Sequence, residues 1–258
     1  MRPFFIWFQH RSGSTHLVSL LNSHTDIDCR GEMFGCFPVE DAKLVAENAN
    51  VRAFGEQFYR RIINQFPGRI EDPTDEYCCN ELEDFFFAGS STNETRVRGF
   101  KLKFPSQAKV FPEVSKRLLQ AANDVNLVVL NRKDYLRRAI SVLNLTHLQS
   151  KTGKANVSEN INLPPTSFEP GEVVRLIKYY ESIQEEFDGW ARNFPNRFEL
   201  DYEDLQASEQ SKLKELLQFL GVVPKQLKST TKKITPDKLE SYVTNLEEIL
   251  LAVRQSSK

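Results

Sequence analysis

Phe4 to Gln9 is a short, mostly aromatic run, Phe-Phe-Ile-Trp-Phe-Gln, and predicts a buried strand. His10-Arg11-Ser12-Gly13-Ser14 has the composition of a turn. From Thr15 to Ser23, Leu17, Val18, Leu20 and Leu21 recur at helical spacing. Strand, glycine turn and helix in that order open an α/β fold. Ala42 to Phe66 predicts one or two helices ended by Pro67-Gly68, and the acidic stretch Glu71 to Ser91 reads as irregular or partly helical. Val97 to Phe104 alternates as a strand does and stops at Pro105. Pro112 to Ala122 predicts a helix. Asn126 to Asn131, with Leu127-Val128-Val129-Leu130, predicts a central parallel strand covered on both faces.

Asp134 to about Ser150 reads as an amphipathic helix with basic residues near its start. Lys151 to Gly171 holds Gly153, Pro164, Pro165 and Pro170 and predicts a long flexible loop, a lid or an insertion. Then follow a helix over Glu172–Asn193, a strand over Phe198–Tyr202 and a helix over Ser208–Leu220 with Gly221 at its C-cap. A Lys/Thr/Ser-rich loop at Lys225–Lys233 precedes a closing helix over Asp237–Val253. No segment repeats. Strands alternating with helices predict one α/β domain over residues 1–258, a mostly parallel sheet flanked by helices on both faces.

A chain of 258 residues buries enough surface to fold without disulfides or a structural metal. Its 34 Lys and Arg against 35 Asp and Glu leave a net charge of −1, so no global field draws it to nucleic acid or an anionic membrane. Any anion site must therefore be local. No apolar run approaches the ~20 residues of a membrane span, and the first residues do not read as a signal peptide. The four cysteines, Cys29, Cys36, Cys78 and Cys79, lack metal-site spacing. A reducing cytoplasm is the simplest expectation, under which the sequons at Asn93, Asn144 and Asn156 are coincidental.

The local anion site is sought first at Arg11-Ser12-Gly13-Ser14-Thr15, between the first strand and its helix. Backbone amides of such a turn, with the positive end of a helix behind them, bind phosphate-like groups. Gly13 permits close approach, Ser14 and Thr15 add hydroxyls, and Arg11 adds charge. The nucleoside-triphosphate pattern Gly-x-x-x-x-Gly-Lys-Ser/Thr is absent. A turn that merely caps the helix explains these five residues equally well on their own.

Three motifs carry a resemblance. Arg11-Ser12-Gly13-Ser14-Thr15 resembles the 5′-phosphosulfate loop of sulfotransferases that use 3′-phosphoadenylyl sulfate (PAPS). The segment Leu130-Asn131-Arg132-Lys133-Asp134-Tyr135-Leu136-Arg137-Arg138-Ala139-Ile140-Ser141 is similar to that family's 3′-phosphate motif, where an Arg at a strand end and a Ser on the next helix bind the phosphate. Arg132 and Ser141 match those positions. Many members place the Arg eight residues before the Ser, which makes Lys133 the alternative. Phe198-Glu199-Leu200-Asp201-Tyr202-Glu203-Asp204-Leu205, followed by Leu217-Gln218-Phe219-Leu220-Gly221, is similar to the late Tyr-Glu-Asp-Leu … Phe-Leu-Gly segment. The ordered set spans residues 4 to 221. It lies nearest the bacterial trehalose- and nodulation-type enzymes, with a likeness to tyrosylprotein sulfotransferases around Glu32.

The resemblance implies a nucleotide-kinase-like, P-loop-type fold, PAPS as donor, and sulfuryl transfer to a hydroxyl or amine acceptor, whether small molecule, glycan or peptide. It places the base at Glu32, in Cys29-Arg30-Gly31-Glu32-Met33-Phe34, with His10 and His16 as competitors. Arg11 would stabilise the leaving phosphate, and Lys101 or Lys103, on one side of their strand by alternation, would bridge the transferring group. It implies that Tyr202 touches the nucleotide and that Lys232 and Lys233 close over it. An ordinary core tyrosine and a solvated charge run explain those last three equally well. A small-molecule kinase of related architecture and a non-catalytic nucleotide-binding module are the competing functions. The acceptor pocket is expected to draw on Glu71–Ser91 and Lys151–Gly171.

Overall fold

Every side chain of the first strand, β1 (Phe4–Gln9), is buried, because it runs through the centre of a parallel sheet. On one side it pairs with β3 (Val97–Phe104), which in turn pairs with the edge strand β2 (Ile27–Glu32). On the other it pairs with β4 (Asn126–Asn131), followed by β5 (Arg197–Asp201). The order is β2-β3-β1-β4-β5. The computed structural model describes residues 2–32, 79–80, 82–84, 97–152, 164–206, 210–231 and 238–256. The helices predicted over Ala42–Phe66, most of Glu71–Ser91, and Lys232 and Lys233 lie outside the described residues.

Alternation along β1 splits its aromatic residues between two cores. Phe5 and Trp7, with Phe100, Leu102, Phe104, Leu127 and Val129, face the helix α3 (Pro112–Gln120) and the end of α5 (Pro170–Ala191). The Trp7 indole N–H donates to the Phe187 carbonyl at 3.1 Å, so its one polar atom is satisfied. Phe4, Ile6 and Phe8 point the other way, onto α1 (Ser14–Leu21) and α6 (Ser211–Phe219). Each such side chain contributes about 1.5–3 kcal/mol by leaving water. Gly99 is required by this packing: a Cβ there would lie 2.2 Å from the Phe4 ring.

Four expectations are corrected. Ile27–Glu32 is a strand where none was predicted; Ile27, Cys29 and Gly31 are buried, with the partly exposed Asp28 and Arg30 between them. A short helix, α2 (Ser106–Val110), follows Pro105. The loop predicted through Gly171 is invaded from both ends: α4 (Tyr135–Thr152) runs past Lys151, and α5 begins at Pro170. The Glu169 side chain caps α5, accepting from the Glu172 amide at 2.7 Å, and Pro170 needs no amide partner at N1. The closing helix, α7 (Leu246–Ser256), starts later than Asp237, because the preceding segment forms a 3₁₀ turn at Leu239–Ser241 and a bridge between Val243 and Thr166. Asn144, the sequon within α4, is buried, and its side-chain oxygen accepts from the Tyr242 hydroxyl.

Because the strands are parallel, Gln9, Glu32, Phe104, Asn131 and Asp201 end on one edge of the sheet. The chain leaves β1 toward β2 and leaves β4 toward β5, in opposite directions. Adjacent strands with diverging connections open a crevice at their carboxyl ends, the usual ligand position in such sheets.

Candidate active site

The loop after β1 turns twice through left-handed backbone, at Arg11 (φ 61) and Gly13 (φ 89). Gly13 is needed for a second reason: a Cβ there would stand 2.3 Å from the Tyr202 ring, which lies directly on the loop. Ser14 then opens α1 with no side-chain cap, so the first-turn amides and the positive end of the helix lie just beyond β1. Ser12 is buried, and its hydroxyl has no protein partner.

Arg132, just beyond β4, donates from Nη1 to the Arg11 carbonyl at 2.9 Å, and its guanidinium lies 4.3 Å from the centre of the Tyr202 ring. Its Nε is buried without a partner. Arg11 donates from Nε to the Ser141 hydroxyl at 3.0 Å, so Ser141 points back from α4 into the crevice. Burial, and then the neighbouring charge of Arg132, lowers the pKa of Arg11. Arg132 is lowered by burial as well. Two arginines held side by side in this way create a site whose energy falls when an anion enters. Lys133 faces outward, paired with Asp201, and does not join them.

The second half of the site is built by a register slip. Cys29 stands opposite Gly99, and strict pairing would place Gly31 opposite Lys101; a bulge puts Glu32 there instead. Glu32 thereby meets both lysines of β3, with Lys101 Nζ at 3.4 Å and Lys103 Nζ at 3.2 Å. Lys101 also reaches the loop, donating to Thr15 Oγ1 at 3.0 Å and to Ser14 Oγ at 3.4 Å. It therefore spans the carboxylate and the anion loop. Burial alone would raise the Glu32 pKa, but Lys101 and Lys103 outweigh it and hold the carboxyl below its ordinary range. Glu32 is ionised at neutral pH.

The competing histidines are placed differently. His10 stands at the start of the loop, where desolvation by the surrounding protein, then the charges of Arg11 and Lys103, lower its pKa. It stays neutral near pH 7. His16 is turned toward the late loop, with Nδ1 at 2.9 Å from Thr231 Oγ1.

Two site residues escape a reading of the sequence. Arg138, two residues after Leu136 in the 3′-phosphate-like segment, looks there like one of several basic residues opening a helix. In the fold it is buried: Nε donates to the His10 carbonyl at 2.8 Å, Nη1 to Gln9 Oε1, and the guanidinium stacks 3.6 Å from the Tyr180 ring centre. Its Nη2 is buried and unpartnered, and burial lowers its pKa to about 10. Gln107 donates to Glu32 Oε2 at 3.1 Å, from a helix the sequence did not reveal. The 3′-phosphate-like segment contains Arg138 without singling it out, and no motif contains Gln107.

A search of curated proteins finds no match. Among solved structures, the sulfotransferase domain from the curacin biosynthetic pathway is 18% identical with a TM-score of 0.50, over 87% of this chain and 75% of that one. A sulfotransferase from Alicyclobacillus acidocaldarius is 17% identical with a TM-score of 0.45, over 99% of this chain and 95% of that one. The sulfotransferase family profile matches residues 3–224, from β1 through the end of α6, and so takes in the loop, both arginines and Glu32. The chain belongs to the sulfotransferase family.

Proposed function

We propose that the protein transfers a sulfuryl group from PAPS to a hydroxyl or amine acceptor. One observation carries this reading: Arg11, Arg132 and Ser141 converge at the carboxyl ends of β1 and β4 while Ser12 Oγ and Arg132 Nε stay buried without partners. Native proteins rarely leave buried donors unpaired, and such groups mark where a ligand completes the bonding. The residues present fit the donor. The 5′ end belongs at the Arg11–Thr15 loop, and the 3′-phosphate at Arg132 and Ser141. Tyr202, which packs against Gly13, is proposed to touch the nucleoside. Lys232 and Lys233 are proposed, on the family resemblance, to close over it.

When bound, PAPS supplies the sulfuryl group: the bond from sulfur to the 5′-phosphate oxygen breaks as the acceptor oxygen or nitrogen bonds to sulfur. Arg11 and the loop amides stabilise the negative charge gained by the leaving phosphate. Glu32, ionised and held by two lysines, accepts the acceptor's proton. Lys101 lies between that carboxylate and the loop hydroxyls, where it stabilises charge on the group in transit.

Calorimetry with adenosine 3′,5′-bisphosphate, AMP and ATP tests the donor. The bisphosphate should bind far more tightly than either, and tighter ATP binding would point to the kinase. Turnover of labelled PAPS against sugars, lipids, peptides and small alcohols tests transfer; binding without turnover would favour the non-catalytic module.

A further inference from the structure

We infer that Gln107 is a positioning residue for the Glu32 carboxylate, linking it to the backbone of β3. The inference rests on the reading of Glu32 as the base.

Gln107 is 3% exposed, on α2 directly after the strand that carries Lys101 and Lys103. Its side-chain oxygen accepts the Lys103 backbone N–H at 2.8 Å. A backbone N–H can only donate, so this bond decides which end of the amide is oxygen. Nε2 must then face outward, and it donates to Glu32 Oε2 at 3.1 Å. The strand backbone orients the amide, and the amide orients the carboxylate. Lys103 is held by the same unit, through its N–H to Gln107 and through Nζ to Glu32.

The lysines alone do not provide this. Lys101 is buried and tied to Thr15 and Ser14, but it meets only Oε1 of the carboxylate. Lys103, which meets Oε2, is partly exposed on a flexible stem and attracts that oxygen without setting its direction. The buried amide is rigid and its donor points one way. It also favours the ionised carboxylate, since a neutral carboxyl gains less from an N–H donor at that oxygen. Among the described residues, the charged and titratable groups that act on Glu32 are Lys101 and Lys103 from β3 and His10 from the loop after β1.

Two variants of similar shape test the role. Gln107→Met removes both hydrogen bonds. Gln107→Glu can still accept from the Lys103 amide but sets a second carboxylate against Glu32. Glu32 titration is read by NMR of protein labelled with ¹³C-glutamate, its resonance assigned with Glu32→Gln. The Glu32 pKa should rise by about one unit in Gln107→Met and by more in Gln107→Glu, where two carboxyls share a proton. Hydrolysis of labelled PAPS should slow by about ten- to a hundredfold in Gln107→Met, as expected for a misplaced catalytic group, while affinity for adenosine 3′,5′-bisphosphate stays within about threefold. A Glu32 pKa unmoved in Gln107→Glu, or a Gln107→Met protein with lower Tm but unchanged titration and turnover, overturns the inference and leaves Gln107 a helix anchor. The titration does not depend on catalysis. Near wild-type turnover in Glu32→Gln would remove the base reading instead.

Discussion

Replacing Arg132 with alanine separates two contributions that the structure keeps distinct. The bond from Arg132 Nη1 to the Arg11 carbonyl braces the loop proposed to receive the 5′ end of a nucleotide. Its loss affects every ligand alike, by about 1 kcal/mol, or roughly fivefold. The buried, unpartnered Nε and the guanidinium charge of Arg132 are different, because on the proposed assignment only the 3′-phosphate uses them. A charge-assisted bond is worth about 1.5–3 kcal/mol, or roughly ten- to 150-fold in affinity. Arg132→Ala should therefore weaken AMP by about fivefold and adenosine 3′,5′-bisphosphate by that factor multiplied by the larger one. Calorimetry with both ligands, at fixed ionic strength, gives the ratio directly. Lys133→Ala, which removes an outward ion pair with Asp201, is the control and should leave the ratio unchanged. Equal losses for AMP and the bisphosphate in Arg132→Ala would refute the 3′-phosphate assignment. A ratio that collapses in Lys133→Ala instead would move the site one residue along the chain.

Arg138→Lys keeps the charge but not the bonds to His10 and Gln9 or the stack on Tyr180, so both ligands should weaken equally, by about tenfold, in the same calorimetric assay; a loss confined to the bisphosphate would place Arg138 at the 3′ site. Gly13→Ala should abolish bisphosphate binding and lower Tm by at least about 2–4 °C, because the alanine must adopt a φ near 89° against the Tyr202 ring; unchanged thermal unfolding and binding would contradict the described loop. For Glu32, the sign follows from a pKa held below the ordinary carboxylate value. PAPS hydrolysis should be flat near neutral pH and fall only as acid protonates Glu32, and Glu32→Gln should be slower by about 10²–10⁴ and lack that limb. His10→Asn should retain the limb, since His10 is neutral throughout the plateau; its disappearance there would transfer the base to His10.

The residues in Phe4–Thr15 could be read in sequence because their signals are local. Five consecutive apolar residues have few structures other than a buried strand, and a Ser/Gly turn before a periodic helix has few conformations. The strand ends carrying Arg132 and Tyr202 were legible for the same reason, as was the alternation that puts Lys101 and Lys103 on one side. The edge strand Ile27–Glu32 was not. Asp, Arg and Gly weaken its β signal, and its pairing with Val97–Phe104 joins residues far apart in sequence.

What the sequence by itself determined is the chemistry available: an anion loop with one arginine, a second arginine after a distant strand, and a carboxylate after the first helix. Tertiary structure alone decided which of these meet. Strict alternation would turn Glu32 away from Lys101, and only the slipped register of β2 against β3 brings it round. Ser141 reaches Arg11 because α4 docks behind the loop, and Arg138 becomes a buried brace because Tyr180 arrives from α5 to cover it. Register and docking are settled by packing across the whole sheet, where a shift of one residue reverses every side chain. No local window of sequence contains that information.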